Sequence, residues 1–173
     1  EQALSMLIYT SAASGHSHDD RIHQQILRIL TPIVKFRACR ATVTVATGAM
    51  EARGGNGYIE DFPNARLVRD AHLGLLWEGT SNINALDAVR RAVGKVGAHG
   101  ARREDLRDRL GDASRLPGQF RNRLEGAVTD AFAFAEDVAS ETEHERFSRV
   151  AAGQRYHATS AVLLACEGAT LGL

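Results

Sequence analysis

Two short runs decide how the chain is read: Gly54-Gly55-Asn56-Gly57 and, further on, Trp77-Glu78-Gly79-Thr80-Ser81-Asn82. Three glycines in four residues do not suit a helix interior, so the first run reads as a turn that ends one helix. It leaves backbone N–H groups uncovered, which suits close approach of a phosphate-bearing ligand, and it equally suits a plain connection. Pro63 then begins a short helix to about His72. In the second run Thr80 reads as the cap of a helix through about Lys95. Ile83, Leu86, Val89 and Val93 form its buried stripe, and Asp87 pairs with Arg91. Glu78 sits beside an aromatic ring and an apolar run, just before that cap. Desolvation there would raise its pKa toward the range of a general base, while the helix N-terminus would favour the anion. The competing reading is an ordinary helix start with a surface glutamate.

Working outward toward the N-terminus, residues 1–14 read as the end of a helix, and the chain reads as a piece of a longer protein. A polar loop follows at residues 14–20. Asp19 or Asp20 caps the next helix, which carries Ile22, Ile26, Ile29 and Leu30 on one face. Thr31-Pro32 is a start signal, so a break or kink is expected there before a long helix to about Arg53. Residues 41–47, Ala-Thr-Val-Thr-Val-Ala-Thr, alternate like a strand. Their flanks are good helix formers and no partner strand is in view, so they read as helix.

Beyond Lys95 the composition shifts. Gly94, Gly97, His99 and Gly100 read as a linker. Residues 102–123 hold seven arginines and four acids, whereas residues 125–145 hold seven acids and no Lys or Arg. Two amphipathic helices are expected, one carrying Phe120, Leu124, Val128, Ala131, Ala135 and Val138, the other from about Glu143 to Leu171. The fold class is all-α: an antiparallel helical bundle over residues 1–95, with additional C-terminal helices over 96–173 packed on it.

Net charge is +0, so nucleic-acid or membrane binding would need a local patch. No apolar run approaches the roughly 18 residues a membrane span requires. Cys39 and Cys166 lack metal-ligand spacing and read as free thiols in a reducing, cytoplasmic compartment. His16, His18 and His23 with Asp19 and Asp20 are a weak metal candidate against a solvated loop, and no metal is assigned. Arg69-Asp70 reads as a structural ion pair, and His72 and His157 have no identifiable partners.

Residues 54–91 contain Gly-Gly-Asn-Gly-Tyr-Ile-Glu-Asp-Phe-Pro, then Leu-Val-Arg-Asp-Ala-His-Leu, then Trp-Glu-Gly-Thr-Ser-Asn-Ile-Asn-Ala-Leu-Asp-Ala-Val-Arg-Arg. Together these resemble the C-terminal domain of the acyl-CoA dehydrogenases, and the likeness covers residues 1–95. The resemblance implies that Glu78 is the base removing the α-proton of an acyl thioester while a flavin takes the β-hydride. It implies that the N–H of Glu78 and a flavin ribityl hydroxyl polarise the thioester carbonyl, and that Gly79 contacts substrate. FAD would be held by Glu51, Ala52, Arg53, Gly54 and Gly55 together with Thr80, Ser81 and Asn82, partly across subunits. The implied partners are an acyl-CoA, an electron-accepting flavoprotein, and further copies in a homodimer or homotetramer. Glu51 departs from the glutamine of many members, and a carboxylate facing a pyrophosphate is repelled.

Thr31-Pro32-Ile33-Val34-Lys35-Phe36, Ala49-Met50-Glu51, Trp77, Asn82-Ile83 and the long extension are similar to the AidB-type branch. That branch is linked to the response to DNA alkylation and associated with DNA through its C-terminal helices. Three readings follow: a working dehydrogenase, an AidB-like flavoprotein associated with DNA, and an oligomerisation domain inactive by itself. For the second, Arg102, Arg103, Arg107, Arg109, Arg115, Arg121 and Arg123 are the candidate phosphate-contacting face. A solvated face paired with nearby acids is the plainer reading.

Overall fold

The structure, a computed structural model, describes residues 1–16, 20–95 and 99–172. The described residues are helical, without strands, as the periodicity requires. Eight α-helices follow in order: α1 (Gln2–His16), α2 (Arg21–Ala52), α3 (Gly55–Tyr58), α4 (Asn64–Leu73), α5 (Ser81–Leu86), α6 (His99–Asp112), α7 (Gly118–Ser140) and α8 (Ser148–Leu171). A π-helical segment, Asp87–Lys95, continues α5, and a 3₁₀ segment, Thr142–Phe147, leads into α8.

Helix α2 is the spine. Asp20 caps it, its carboxylate accepting from the Ile22 amide at 2.7 Å. The expected break at Thr31-Pro32 does not occur: α2 runs through Pro32 for 32 residues. Proline removes one amide donor and crowds the preceding turn, a local cost of about 3 kcal/mol. Burial outweighs it, because Ile29, Leu30, Pro32, Ile33, Val34 and Phe36 are all buried. Large apolar side chains each contribute roughly 1.5–3 kcal/mol when fully buried. Ile22, expected on the buried face, is exposed. The β-branched stretch at 41–47 is helical, as its flanks predicted.

Two apolar clusters form. The larger joins α1 (Met6, Tyr9), the middle of α2, the π segment (Ala88, Val89, Ala92, Val93), α7 (Ala135, Val138) and α8 (Ala151, Ala152, Tyr156, Leu163). Its members thus come from both sides of residue 95. The smaller joins α6 (Leu106, Leu110), α7 (Leu124, Val128, Phe132) and α8 (Ala158, Val162).

The region after Lys95 holds one more helix than expected. His99 and Gly100, read as linker, open α6; Val96, Gly97 and Ala98 lie outside the described residues. Phe120, expected in the α7 stripe, is 44% exposed, while the other five members are buried. The helix expected from Glu143 starts at Ser148, after the 3₁₀ segment.

Two fully buried arginines lie beside both clusters. Arg102 donates to Thr159 Oγ1 and to the Arg155 carbonyl at 3.5 Å. Arg155 stacks on Phe132, its guanidinium 4.7 Å from the ring centroid. Nε and Nη1 of Arg102, and all three guanidinium nitrogens of Arg155, have no hydrogen-bond partner among the described residues. Burial pushes the Arg102 pKa down to about 10. Burial, and then the charge of Arg102, push that of Arg155 well down. Replacing an unpaired buried cation by an apolar chain of similar length removes a desolvation cost. Arg155→Met is therefore expected to stabilise the protein, by about 1–4 kcal/mol, measured by denaturant unfolding.

Arg37 on α2 donates to Nε2 of His157 on α8 at 3.2 Å, which gives His157 the partner its sequence context did not reveal. Arginine only donates, so this Nε2 is unprotonated. Burial first, and then the Arg37 charge, lower the His157 pKa below 6.5. The unfolded chain then binds the proton more readily, so this stabilisation is full above the unfolded pKa and is lost as pH falls through the folded one. The Tm is expected to fall between about pH 7 and pH 5, and His157→Gln to flatten part of that slope.

Candidate active site

The segment carrying Glu78 leaves α4 at Leu73 and enters α5 at Ser81. Its first anchor is Lys35 on α2, whose Nζ donates to the Gly74 carbonyl at 2.5 Å and to Cys39 Sγ at 3.4 Å. Gly74 fits closely there: a Cβ would lie 3.2 Å from the Ala71 carbonyl oxygen. The second anchor is Arg28, also on α2, which grips Asp87 with both Nη atoms at 2.6 and 2.7 Å. That hydrogen bonding holds the Asp87 carboxyl below its usual range and raises Arg28. The expected Asp87–Arg91 pair is also present, at 3.5 Å.

Between the anchors the backbone is strained. Glu78, at φ 52°, is the one non-glycine residue with positive φ among the described residues, and Gly79 follows at φ 95°. A glutamate in the left-handed region costs of order 1–3 kcal/mol and persists only where its surroundings over-determine it. Asn84, nine-tenths buried, does part of this. Its Nδ2 donates to the carbonyls of Gly79 at 2.7 Å and Thr80 at 3.1 Å. A Cβ at Gly79 would lie 3.2 Å from that same Nδ2. Thr80 occupies the cap position, but its hydroxyl caps nothing.

Glu78 lines a groove of about 570 Å³ with Arg28, Ile83, Asn84, Leu86, Asp87, Arg90, Arg91 and Glu145. Its charges balance, with the carboxylates of Glu78, Asp87 and Glu145 against Arg28, Arg90 and Arg91, and Arg28 and Arg91 both pair with Asp87. The expected apolar enclosure of Glu78 is not built by this chain: Leu76 is 65% and Trp77 61% exposed. The stripe after Thr80 also differs. Ile83 is exposed and Leu86 half-buried, while Asn84, Ala85, Ala88, Val89, Ala92 and Val93 are buried. The i→i+5 bonding from Asp87 shifts the face from that of a regular α-helix.

The glycine run holds a single helical turn, α3, rather than an open turn. Gly54 supplies the reversal at φ 60°. Gly57, not singled out as a ligand position, is the sterically demanding one: a Cβ there would sit 2.1 Å from the Met50 carbonyl oxygen. A Cβ at Gly54 or Gly55 would meet nothing within 4 Å. Glu51, Ala52 and Arg53 are exposed at the end of α2, with Arg53 over the Phe62 ring at 5.1 Å.

The two segments assigned to FAD are not brought together. Ser81 accepts from Arg40 at 3.4 Å. Arg40 precedes Glu51 by eleven residues on α2, or ~16 Å along the helix.

The lesser candidates resolve as follows. Arg69 pairs with Glu60, at 2.7 and 3.1 Å, rather than with Asp70. His72 Nδ1 bonds the Val68 carbonyl at 2.9 Å. His16 stacks on His23, and His23 pairs with Asp20 at 2.6 Å; His18 and Asp19 lie outside the described residues. Among the described residues no three His, Cys, Asp or Glu cluster as metal ligands. Both cysteines are free, and no described helix is long and apolar enough to cross a membrane.

The arginine run is not one face. Arg102 is buried, Arg109 pairs with Asp105 at 3.0 Å, Arg103 lies 4.0 Å from Glu136, and Arg121 donates to the Ala113 carbonyl at 2.8 Å. Arg107, Arg115 and Arg123 are exposed.

Fold and site together define a helical domain with one strained carboxylate at the edge of an open groove. The family model described as acyl-CoA dehydrogenase, C-terminal domain, matches residues 1–94, and the chain belongs to that family. It is 37% identical over 112 residues to acyl-CoA dehydrogenase family member 11 of Caenorhabditis elegans, covering 59% of this chain and 18% of that protein. It is 40% identical over 63 residues to the putative acyl-CoA dehydrogenase AidB of Escherichia coli, covering 36% of this chain and 12% of that one. The crystal structure of Caenorhabditis elegans ACDH-11 in complex with C11-CoA superposes with a TM-score of 0.70 at 26% identity, over 97% of this chain and 30% of that chain. With that coverage the likeness includes α6 to α8. The aligned sequence thus spans under a fifth of these two curated relatives.

Gly57→Ala is expected to destabilise the protein by about 1–3 kcal/mol, since backbone must move to admit the methyl. Gly55→Ala, into open space, is expected to change stability by less than about 1 kcal/mol. Urea unfolding of the two variants makes the comparison.

Proposed function

We propose that this chain is the C-terminal part of a FAD-dependent acyl-CoA dehydrogenase of the AidB-like branch, with Glu78 as its base. The observation that carries the proposal is the left-handed backbone at Glu78. A surface glutamate at a helix start has no need of that conformation, whereas a base aimed at one carbon does. The Glu78 carboxylate accepts the α-proton of the acyl thioester. The Glu78 N–H, on a turn that glycine leaves uncovered, donates to the thioester carbonyl and so makes that proton more acidic. Gly79 lets the substrate approach the backbone. FAD, when bound, supplies the acceptor for the β-hydride.

The residues assigned to FAD fit such a group. Gly54 and Gly55 have open space above the backbone, and Ser81 presents a hydroxyl held by Arg40. Because the two segments are far apart along α2, we assign Thr80, Ser81 and Asn82 to the cofactor of the same site. We assign Glu51 to Gly55 to a cofactor lying mainly in a neighbouring subunit. A homodimer or homotetramer follows, with an electron-accepting flavoprotein as redox partner. The exposed Leu76 and Trp77 leave the wall over Glu78 to other parts of the full-length protein. The DNA-associated alternative has the weaker support, since four of its seven arginines are buried or bonded within the domain.

One experiment tests the assignment. Flavin bleaching by a panel of acyl-CoAs is followed anaerobically in the full-length protein, its Glu78→Gln variant, and the present chain supplied with FAD. The wild type is expected to bleach. Glu78→Gln is expected to keep its flavin and lose at least about a hundredfold in rate, and the isolated chain to show no bleaching. Retained bleaching in Glu78→Gln places the base elsewhere.

A further inference from the structure

We propose that Asn84 is the positioning residue for Glu78: its amide clamps the turn so that the carboxylate is held toward the groove. This rests on Glu78 being the base. Asn84 lies in the first turn of α5, just beyond the segment that carries Glu78, and is nine-tenths buried. Its side chain lines the Glu78 groove and the adjoining groove over Thr31 and Pro32, and so forms part of the wall between them.

The geometry is specific to an amide. Nδ2 has two hydrogens and meets two acceptors, the carbonyls of Gly79 and Thr80, at 2.7 and 3.1 Å. These carbonyls belong to the two residues that follow Glu78. Fixing them fixes the Gly79–Thr80 and Thr80–Ser81 peptide planes, and the first of these is joined to Glu78 through the Gly79 Cα. The left-handed backbone at Glu78 and Gly79 is otherwise disfavoured for a glutamate, and without the clamp the turn is free to relax toward negative φ. The backbone amide of Asn84 also donates to the Thr80 carbonyl, at 3.0 Å, but that bond is ordinary helix geometry and survives any substitution except proline. Only the side chain reaches Gly79.

Asn84→Asp is the discriminating change. It keeps shape and volume and replaces the two-hydrogen donor by a carboxylate facing two carbonyl oxygens, so the clamp becomes a repulsion. Asn84→Gln keeps the donor on a longer stem. The measurement is the limiting rate of anaerobic flavin bleaching per bound flavin in the full-length protein, with the acyl-CoA that bleaches the wild type fastest. KM and the pH profile of the rate are measured alongside.

Asn84→Asp is expected to lose about ten- to hundredfold in limiting rate, the scale of a misplaced catalytic group. KM is expected to stay within about threefold, because the clamp does not touch substrate. The pH profile is expected to shift, since the carboxylate of Glu78 changes surroundings, and Asn84→Gln is expected to recover most of the rate. A purely structural role would lower flavin content and Tm and leave the rate per bound flavin and its pH profile unchanged. Should Asn84→Asp fail to take up flavin, Asn84→Ala, which removes the donor without adding charge, carries the same comparison.

An unchanged rate per flavin in the donor-free variant, alongside an inactive Glu78→Gln, overturns the role of Asn84 alone. An active Glu78→Gln overturns the assignment of the base, and the role of Asn84 with it.

Discussion

Arg28 and Lys35 stand seven residues apart on α2, so they project from one face two turns, or ~10 Å, apart. Each holds one end of the segment that carries Glu78: Lys35 grips the Gly74 carbonyl and Arg28 grips Asp87. Neither contact is strong in itself. A partly exposed pair such as Arg28–Asp87 contributes about 1 kcal/mol or less. Their effect is geometric, because two fixed ends leave the intervening chain few ways to cross the gap. The bidentate fork adds orientation to position. It sets the rotation of the π segment as well as its distance from the spine. Ala88, Val89 and Ala92, just beyond this pairing, are buried in the larger apolar cluster.

Once the ends are fixed, the turn between them can hold a conformation that a free peptide would abandon. Glycine at position 79 is at ease at φ 95°, but glutamate at φ 52° is not. A glycine at position 78 would relieve the strain, so the carboxylate is kept there against the backbone's preference. Lys35, Arg28 and Asn84 are all polar groups reaching from helices to the segment, and each acts on a different part of it. Rigidity at Glu78 thus comes from hydrogen bonds arranged around an exposed side chain rather than from burial of the side chain itself. That division leaves the carboxylate open to a ligand while its backbone stays fixed.

What could be read in the residues follows the range of the interaction. The end of α2 at the glycine run, the cap at Asp20 and the helical reading of 41–47 rest on neighbours in sequence, and these agree with the structure. Pro32 misleads as to a break because its local cost is outweighed by the burial of Ile29, Leu30, Ile33, Val34 and Phe36 around it. Ile83 misleads because the π register from Asp87 changes which face turns inward, and no 3.6-residue pattern anticipates that. Arg28, Lys35 and Asn84 are silent in the sequence for a different reason. Arg28 meets a partner 59 residues on and Lys35 one 39 residues on, and a lone arginine or lysine on a helix gives no sign of it. Asn84 was nearer to hand, since an asparagine inside a helix competes for backbone partners. The one it takes here is its own entry turn.

Charge shows the same limit on a larger scale. Basic residues 102–123 and acidic residues 125–145 look like separate surfaces when read along the chain. Folding lays α6 against α7, so that Arg103 and His99 face Glu136, and Arg109 turns back to Asp105. Contact between the two runs is thus made at Glu136, while Arg107, Arg115 and Arg123 stay exposed. Uncompensated charge lies inside: Arg102 and Arg155 are buried together, with carboxylates nearby already engaged by other donors. Helices α6 to α8 carry this uncompensated charge into the packing of the bundle, and Ala135, Val138, Ala151 and Tyr156 join them to the cluster around α2. A helical addition that merely rested on the surface would have no cause to bury cations. These helices share a core with the spine that anchors Glu78, and among the described residues beyond Lys95 only Glu145, from the 3₁₀ segment, lines its groove.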